Sequence, residues 1–322
     1  MINELDRACE IALLTCMGVK PEENVLIISD TTKHEIGYAL HLNALRLGLN
    51  STYVEMIPLE INGQEPPAEI GKMMKRYDVV LCPTAKSLTH TDARREASKD
   101  GVRVATFPGI TKDVMIRGMN ADYNKIAARS IKLKEILESK SSVRVTSQLG
   151  TDISFSIKGR TSYASKGLFH AKGESGNLPT GETFLAPVEN TAQGVLYIDG
   201  SIASIGLIQG EIVVIEVSNG KATKISGGEN ATKLDQMLSK VGSEAYNIAE
   251  FGIGTNDSAK LSGLILEDEK VMGTIHIALG NNLSMGGSIS VPIHLDGVIT
   301  EPTVYLDNEL LMKDGKFVID IG

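Results

Sequence analysis

The segment 273–297, GTIHIALGNNLSMGGSISVPIHLDG, holds two of the chain's six histidines, His276 and His294, with Asp296 two residues after the second. His276 sits among alternating apolar residues, a pattern that predicts a strand. His294 and Asp296 are spaced to project from the same face of a second strand. Two imidazoles and a carboxylate converging from adjacent strands are what a catalytic divalent metal requires. A lone histidine in an apolar strand is more often a hydrogen-bonded core residue. The pair together with Asp296 favours a metal.

Three further acidic segments bear on such a site. NLPTGETFLAPVEN places Glu182 at the entry to a strand, straight after a Pro-Thr-Gly turn, where a lone acid is usually a solvated loop residue or cap. NIAEFGIGTN places Glu250 at the end of an apolar run, and a carboxylate there needs a partner because burying it alone is costly. EDEKVMGTIH sets Glu267, Asp268 and Glu269 just ahead of the histidine strand.

The elements that must position these groups fall into two rhythms. Up to about residue 140, apolar strands (24–31, 51–57, 79–84, 102–108) alternate with helical patterns (34–48, 67–77, 87–101). This predicts an α/β, Rossmann-like N-terminal domain with a parallel sheet over residues 1–141. No G-x-G-x-x-G or P-loop glycine pattern follows the first strand, so a dinucleotide role has no support. A long helix over 122–138 leads into a second domain, 142–322, expected to be α+β with a curved, largely antiparallel sheet carrying the metal site. Its one long helical pattern, 230–241, has Asn230 as the expected N-cap.

Composition excludes several classes. At 322 residues the chain is long enough for two domains, and 42% hydrophobic with 22% charged residues is ordinary for a globular protein. A net charge of -8 disfavours a polyanionic partner, and 4% aromatic residues with no Trp disfavour a stacking platform for nucleic acid. No apolar run is long enough to span a bilayer. The N-terminal segment lacks a basic start and carries Glu4, Asp6 and Glu10, so it does not read as a signal peptide. Its apolar residues (Ile2, Leu5, Ala8, Cys9, Ala12, Leu13, Cys16) follow one helical face. The three cysteines are odd in number and unpaired in pattern, which suits a reduced, cytoplasmic protein.

Taken in order, NLPTGETFLAP, AEFGIGTN, DEKVMGTIHIALG and IHLDG resemble the aminopeptidase T and aminopeptidase S family of metallopeptidases. The resemblance runs from residue 173 to about 315. It implies an N-terminal α/β domain, a C-terminal domain with two divalent ions (Zn, Co or Mn) and a homodimer. The ligands it implies are Glu182, Glu250, His276, His294 and Asp296. The reaction it implies is hydrolysis of N-terminal residues from peptides by a metal-activated water, with Glu182 or Glu250 as general base. The match departs from the family at one point: no tyrosine follows the HIALG motif before Tyr305.

That departure keeps an alternative in view. The same fold family is similar to a ring-opening dioxygenase that acts on a dihydroxypyridine with one non-haem Fe(II). His276, His294 and Asp296 form the two-histidine, one-carboxylate set such an iron uses. A metal-stabilised binding protein without turnover is a third reading. Finally, Ser87, His90 and Arg94 in SLTHTDARREA are candidates to bind a substrate carboxylate at the strand-end crevice of the first domain. A surface His and Arg near a helix start are also commonly silent. His34, His41 and His170 suggest no role.

Overall fold

In the computed structural model, which describes residues 3–322, the β-α rhythm of the first part folds as a five-stranded parallel sheet. Its strand order is Asn50–Met56, Asn24–Asp30, Val79–Cys82, Arg103–Thr106 and Ser175–Asn177. Every neighbouring pair is parallel. The central strands are buried along their length, as an all-parallel sheet covered by helices requires. The last strand comes from a segment whose sequence carries no strand pattern, and it joins by pairing with Arg103–Thr106. Residues up to 126 together with 167–180 therefore form one unit, and 127–166 with 181–322 form the other. The expected boundary at 141/142 lies inside the second unit, because the helix Tyr123–Glu138 carries the chain from one to the other.

The N-terminal helix Glu4–Glu10 is capped by the Asn3 side chain and continues as a π-helical turn over Ile11–Cys16. It buries Leu5, Ala8, Cys9, Ala12, Leu13 and Cys16, the expected face; Ile2 lies outside the described residues. All three cysteines are buried and free, and burial pushes the Cys9 thiol up to about 12, so it serves as a small hydrophobe. The helix expected over 87–101 begins only at Asp92. Thr91 caps it by accepting from the Arg94 amide, and Glu65 accepts from the Ala93 amide, so the chain before Thr91 is free to turn away. No helix among the described residues is long and apolar enough to cross a membrane.

The second unit consists of two antiparallel sheets, of eight and seven strands, around one core. Val145, Ile153, Phe155 and Ile215 of the first sheet pack with Phe251, Ile253, Ile277 and Leu279 of the second, and the Phe155 and Phe251 rings meet edge to face. The helix Gly228–Ser239 starts ahead of the expected cap at Asn230. The chain instead leaves the preceding strand through Gly227, at φ +112°, a turn that side-chain capping does not dictate. These findings establish the expected fold class: a parallel α/β unit followed by a largely antiparallel one.

Candidate metal centre

Four adjacent strands of the seven-stranded sheet build the site. In spatial order they are His294–Ile299, Ile275–Gly280, Ile248–Gly254 and Glu182–Leu185, and each pairs antiparallel with the next. Register places Asp296 opposite Ala278, Ala278 opposite Glu250, His276 opposite Gly252, and Glu182 opposite Gly254. Because side chains alternate between faces, all five predicted ligands project from one face while Phe251, Ile253, Ile277 and Leu279 enter the core from the other. A bulge between Ile248 and Glu250 makes this possible. Without the extra residue, Ile248 and Glu250 would share a face; with it, one faces the core and the other the site.

Small residues on that face provide the room. A Cβ on Gly252 would stand 2.0 Å from His276 Nε2, so the imidazole lies across the position where any other residue would carry a side chain. Gly254 is crossed in the same way by the backbone at Val271, which brings the adjoining Lys270 into the site.

The donor atoms converge in two groups. Glu250, His294 and Asp296 form one; Glu182, Glu269 and His276 form the other; within each, the ligand atoms lie within 4.8 Å of one another. Glu250 stands between the imidazoles, with Oε1 3.3 Å from His276 Nε2 and Oε2 3.1 Å from His294 Nε2. His294 Nε2 is also 3.4 Å from Asp296 Oδ1. The Asn281 carbonyl accepts from His294 Nδ1 at 2.8 Å, which fixes the tautomer and leaves the Nε2 lone pair facing the carboxylates. His276 Nε2 lies 3.5 Å from Glu182 Oε2, an oxygen that is buried with no hydrogen-bond partner. His276 Nδ1 is likewise buried and unpartnered, so this histidine lacks the supporting hydrogen bond that His294 has. The His294 side chain is 31% exposed against 9% for Glu250, which makes the His294 side the open one.

Lone pairs aimed at one another without a cation repel, and the protein resolves this by protonation. Burial works against a charged His276, but hydrogen bonding to Glu250 and the nearby carboxylates raise it to about 9. His294 is raised likewise by Asp296 and Glu250 against the effect of burial. Burial pushes Glu250 up, yet the two imidazoles hold its carboxyl well below the usual range. Burial, with Glu182 and Asp296 nearby, pushes Glu269 up to about 8 despite Lys270 beside it. A divalent ion supplies the same compensation with neutral imidazoles, so the residues fit a metal.

One carboxylate holds the loop between the two histidine strands, which carries the Asn281 carbonyl that His294 donates to. Glu189 accepts from the Asn282 side chain at 2.9 Å and the Ser288 amide at 2.7 Å, and it pairs with Arg160, which in turn donates to the Gly286 carbonyl. Burial opposes ionisation of Glu189, but these donors and the Arg160 charge bring it down to about 2. Since the folded value lies below the ordinary 4.5, the stabilisation is complete above about pH 4.5 and is lost as pH falls through about 2. Glu189→Ala is expected to speed hydrogen exchange at the Ser288 amide. It should also weaken metal binding about 10–100-fold by loosening the Asn281 carbonyl that orients His294. Chelator competition checks the second effect; unchanged affinity would mean that this loop does not orient His294.

Glu182, Glu250, His276, His294 and Asp296 are thus all brought together. Ser87, His90 and Arg94 belong to the first unit. Ser87 donates to Thr89, His90 is exposed ahead of the helix cap, and half-buried Arg94 donates to the Thr89 carbonyl and to Ser175. Sequence reasoning passed over Glu269 as a ligand and Lys270 altogether. The DEK run was the available signal, since a lysine beside three acids at a strand entry has charges to compensate.

A family model described as NicX: 2,5-dihydroxypyridine 5,6-dioxygenase matches residues 4–319. The chain belongs to this family. Among relatives, the 2,5-dihydroxypyridine 5,6-dioxygenase of Pseudomonas putida (strain KT2440) is 25% identical over 245 residues, covering 72% of this chain and 69% of that one. The solved 2,5-dihydroxypyridine dioxygenase from Pseudomonas putida KT2440 shares the fold with a TM-score of 0.85 at 19% identity, covering 99% of both chains. Wild-type AmpT from Thermus thermophilus also shares it, with a TM-score of 0.68 at 17% identity over 98% of this chain and 99% of that one. The aminopeptidase T resemblance therefore holds for the fold. Membership in the dihydroxypyridine dioxygenase family corrects the expected function: the hydrolase and aminopeptidase reading, with its peptide substrate and Glu182 or Glu250 activating a hydrolytic water, is overturned. The missing tyrosine after HIALG was the local sign of it.

Proposed function

We propose that this protein is a non-haem Fe(II) ring-opening dioxygenase acting on a dihydroxylated pyridine or a close heterocyclic relative. The observation that carries the reading is the Glu250–His294–Asp296 group, joined by His276, inside a chain of the dihydroxypyridine dioxygenase family. His276, His294 and Asp296 would hold the iron, the two-histidine, one-carboxylate set that leaves positions open for other ligands. When bound, Fe(II) supplies the means of bringing O2 and an electron-rich ring to react together.

The protein's own residues supply the rest. Asn281 holds His294 in the tautomer that presents Nε2. The exposed side of His294 gives the substrate its approach, while the buried side excludes water. Glu250 accepts a proton. It stands where it can take the proton of a substrate hydroxyl, and it returns that proton after ring opening.

The test is oxygen uptake. Protein reconstituted anaerobically with Fe(II) and given 2,5-dihydroxypyridine should consume about one O2 per substrate, as a dioxygenase must. Zn(II) in place of Fe(II) should abolish uptake. Equal rates with and without iron would overturn the proposal.

A further inference from the structure

Register sets Val298, His276, Gly252, Phe184 and Tyr163 in one row across the face that carries the metal donors. The row ends in two aromatic rings, on the flank away from His294. Phe184 lies two residues after Glu182 and so projects from the same face. Its strand cannot turn it inward, because Leu185 enters the core and Thr183 donates to the buried Ser130 carbonyl from the other face. Phe107, Phe155, Phe169 and Phe251 are buried, whereas Phe184 is half-buried beside charged donors. Tyr163, on the edge strand Tyr163–Ser165, is 36% exposed and stacks on Phe184, with ring centroids 5.5 Å apart and planes 22° from parallel. A cross-strand aromatic pair steadies a sheet edge, and Tyr163 does this from one side of Phe184. The other side faces Gly252, over which the His276 imidazole lies. Phe184 is thus the next side chain in the row beyond that ligand.

We propose that Phe184, backed by Tyr163, is the wall on which the substrate's ring stacks, selecting aromatic heterocycles over other metal-chelating molecules. The inference rests on the dioxygenase reading above and deepens it. Chelating oxygens alone do not distinguish a dihydroxylated ring from an aliphatic hydroxy acid or dicarboxylate, since both offer a metal the same kind of atom. An aromatic wall adds the distinction, because stacking favours a flat π-face and gives an aliphatic chain less contact. In a site otherwise built from charged donors, this pair supplies the apolar surface that a ring needs. Tyr163 holds Phe184 in one orientation, so the wall is formed before the ligand arrives.

Equilibrium binding to Zn(II)-loaded protein tests this without turnover, by calorimetry with 2,5-dihydroxypyridine and with oxalate, a chelator that has no ring. Phe184→Ala should bind the heterocycle about 10-fold more weakly and oxalate as the wild type does. Phe184→Leu, which keeps the apolar bulk and so the fold, should lose most of the same affinity, and Phe184→Tyr should retain it. Tyr163→Ala should show a smaller loss of the same kind. Zinc content should match the wild type in every variant. A Phe184→Leu or Phe184→Ala protein that keeps its zinc and binds the heterocycle with wild-type affinity overturns the proposal. So does an equal loss for both ligands, which would mark a general disturbance of the site. A wild type that takes up zinc and oxalate but not the heterocycle contradicts the dioxygenase reading, and the proposal falls with it.

Discussion

Alanine at His294 is expected to leave the protein folded and unable to retain a metal. The ring supplies a donor on the open side of the site and, with Asp296, two of the three members of the Glu250–His294–Asp296 group. Removing it takes away a ligand, not a supporting hydrogen bond. The loss should therefore exceed the 10–100-fold typical of outer partners, with turnover down by about 1000-fold or more. Asp296→Ala should behave the same way. Because His294 is partly exposed, its truncation creates little cavity, and thermal stability of the metal-free protein should change little. Elemental analysis beside a melting curve checks both halves; a fully metallated His294→Ala protein would show that the ion is held elsewhere.

Gly252→Ala should do comparable damage from a position that carries no chemistry. The new methyl would stand 2.0 Å from His276 Nε2 and 2.2 Å from Cε1, and the ring it must displace is fully buried. Overpacking of this kind costs about 1–3 kcal/mol. For a unit of this size that lowers the melting temperature by roughly 2–12 °C. The displaced imidazole also leaves the metal with one nitrogen ligand fewer, so metal retention should fall along with stability. A variant that melts and binds metal as the wild type does would mean that His276 has room the structure does not show.

Much of this was legible in the sequence, for identifiable reasons. Period-two apolar patterning around His276 and the spacing of His294 and Asp296 place them on strand faces, and those patterns are local. The parallel sheet followed from strands alternating with helices. What escaped was set by distant pairing. Ser175–Asn177 becomes a strand only because Arg103–Thr106 offers an edge. Glu250 was legible as a carboxylate closing an apolar run, but the bulge that turns it from the face of Ile248 toward the site was not. Lys270 is drawn in by the close approach over Gly254, which no local pattern announces. The function was misread for a related reason. The ligand motifs resemble those of a peptidase sharing the fold, and counting five ligands suggested two metals.

The most direct measurement uses isotopically labelled oxygen. Protein reconstituted with Fe(II) turns over 2,5-dihydroxypyridine under 18O2, and the product is examined by mass spectrometry. The dioxygenase reading predicts a ring-opened product carrying both labelled atoms, with none formed by His294→Ala. An unopened ring, or a product whose new oxygen comes only from water, would contradict it.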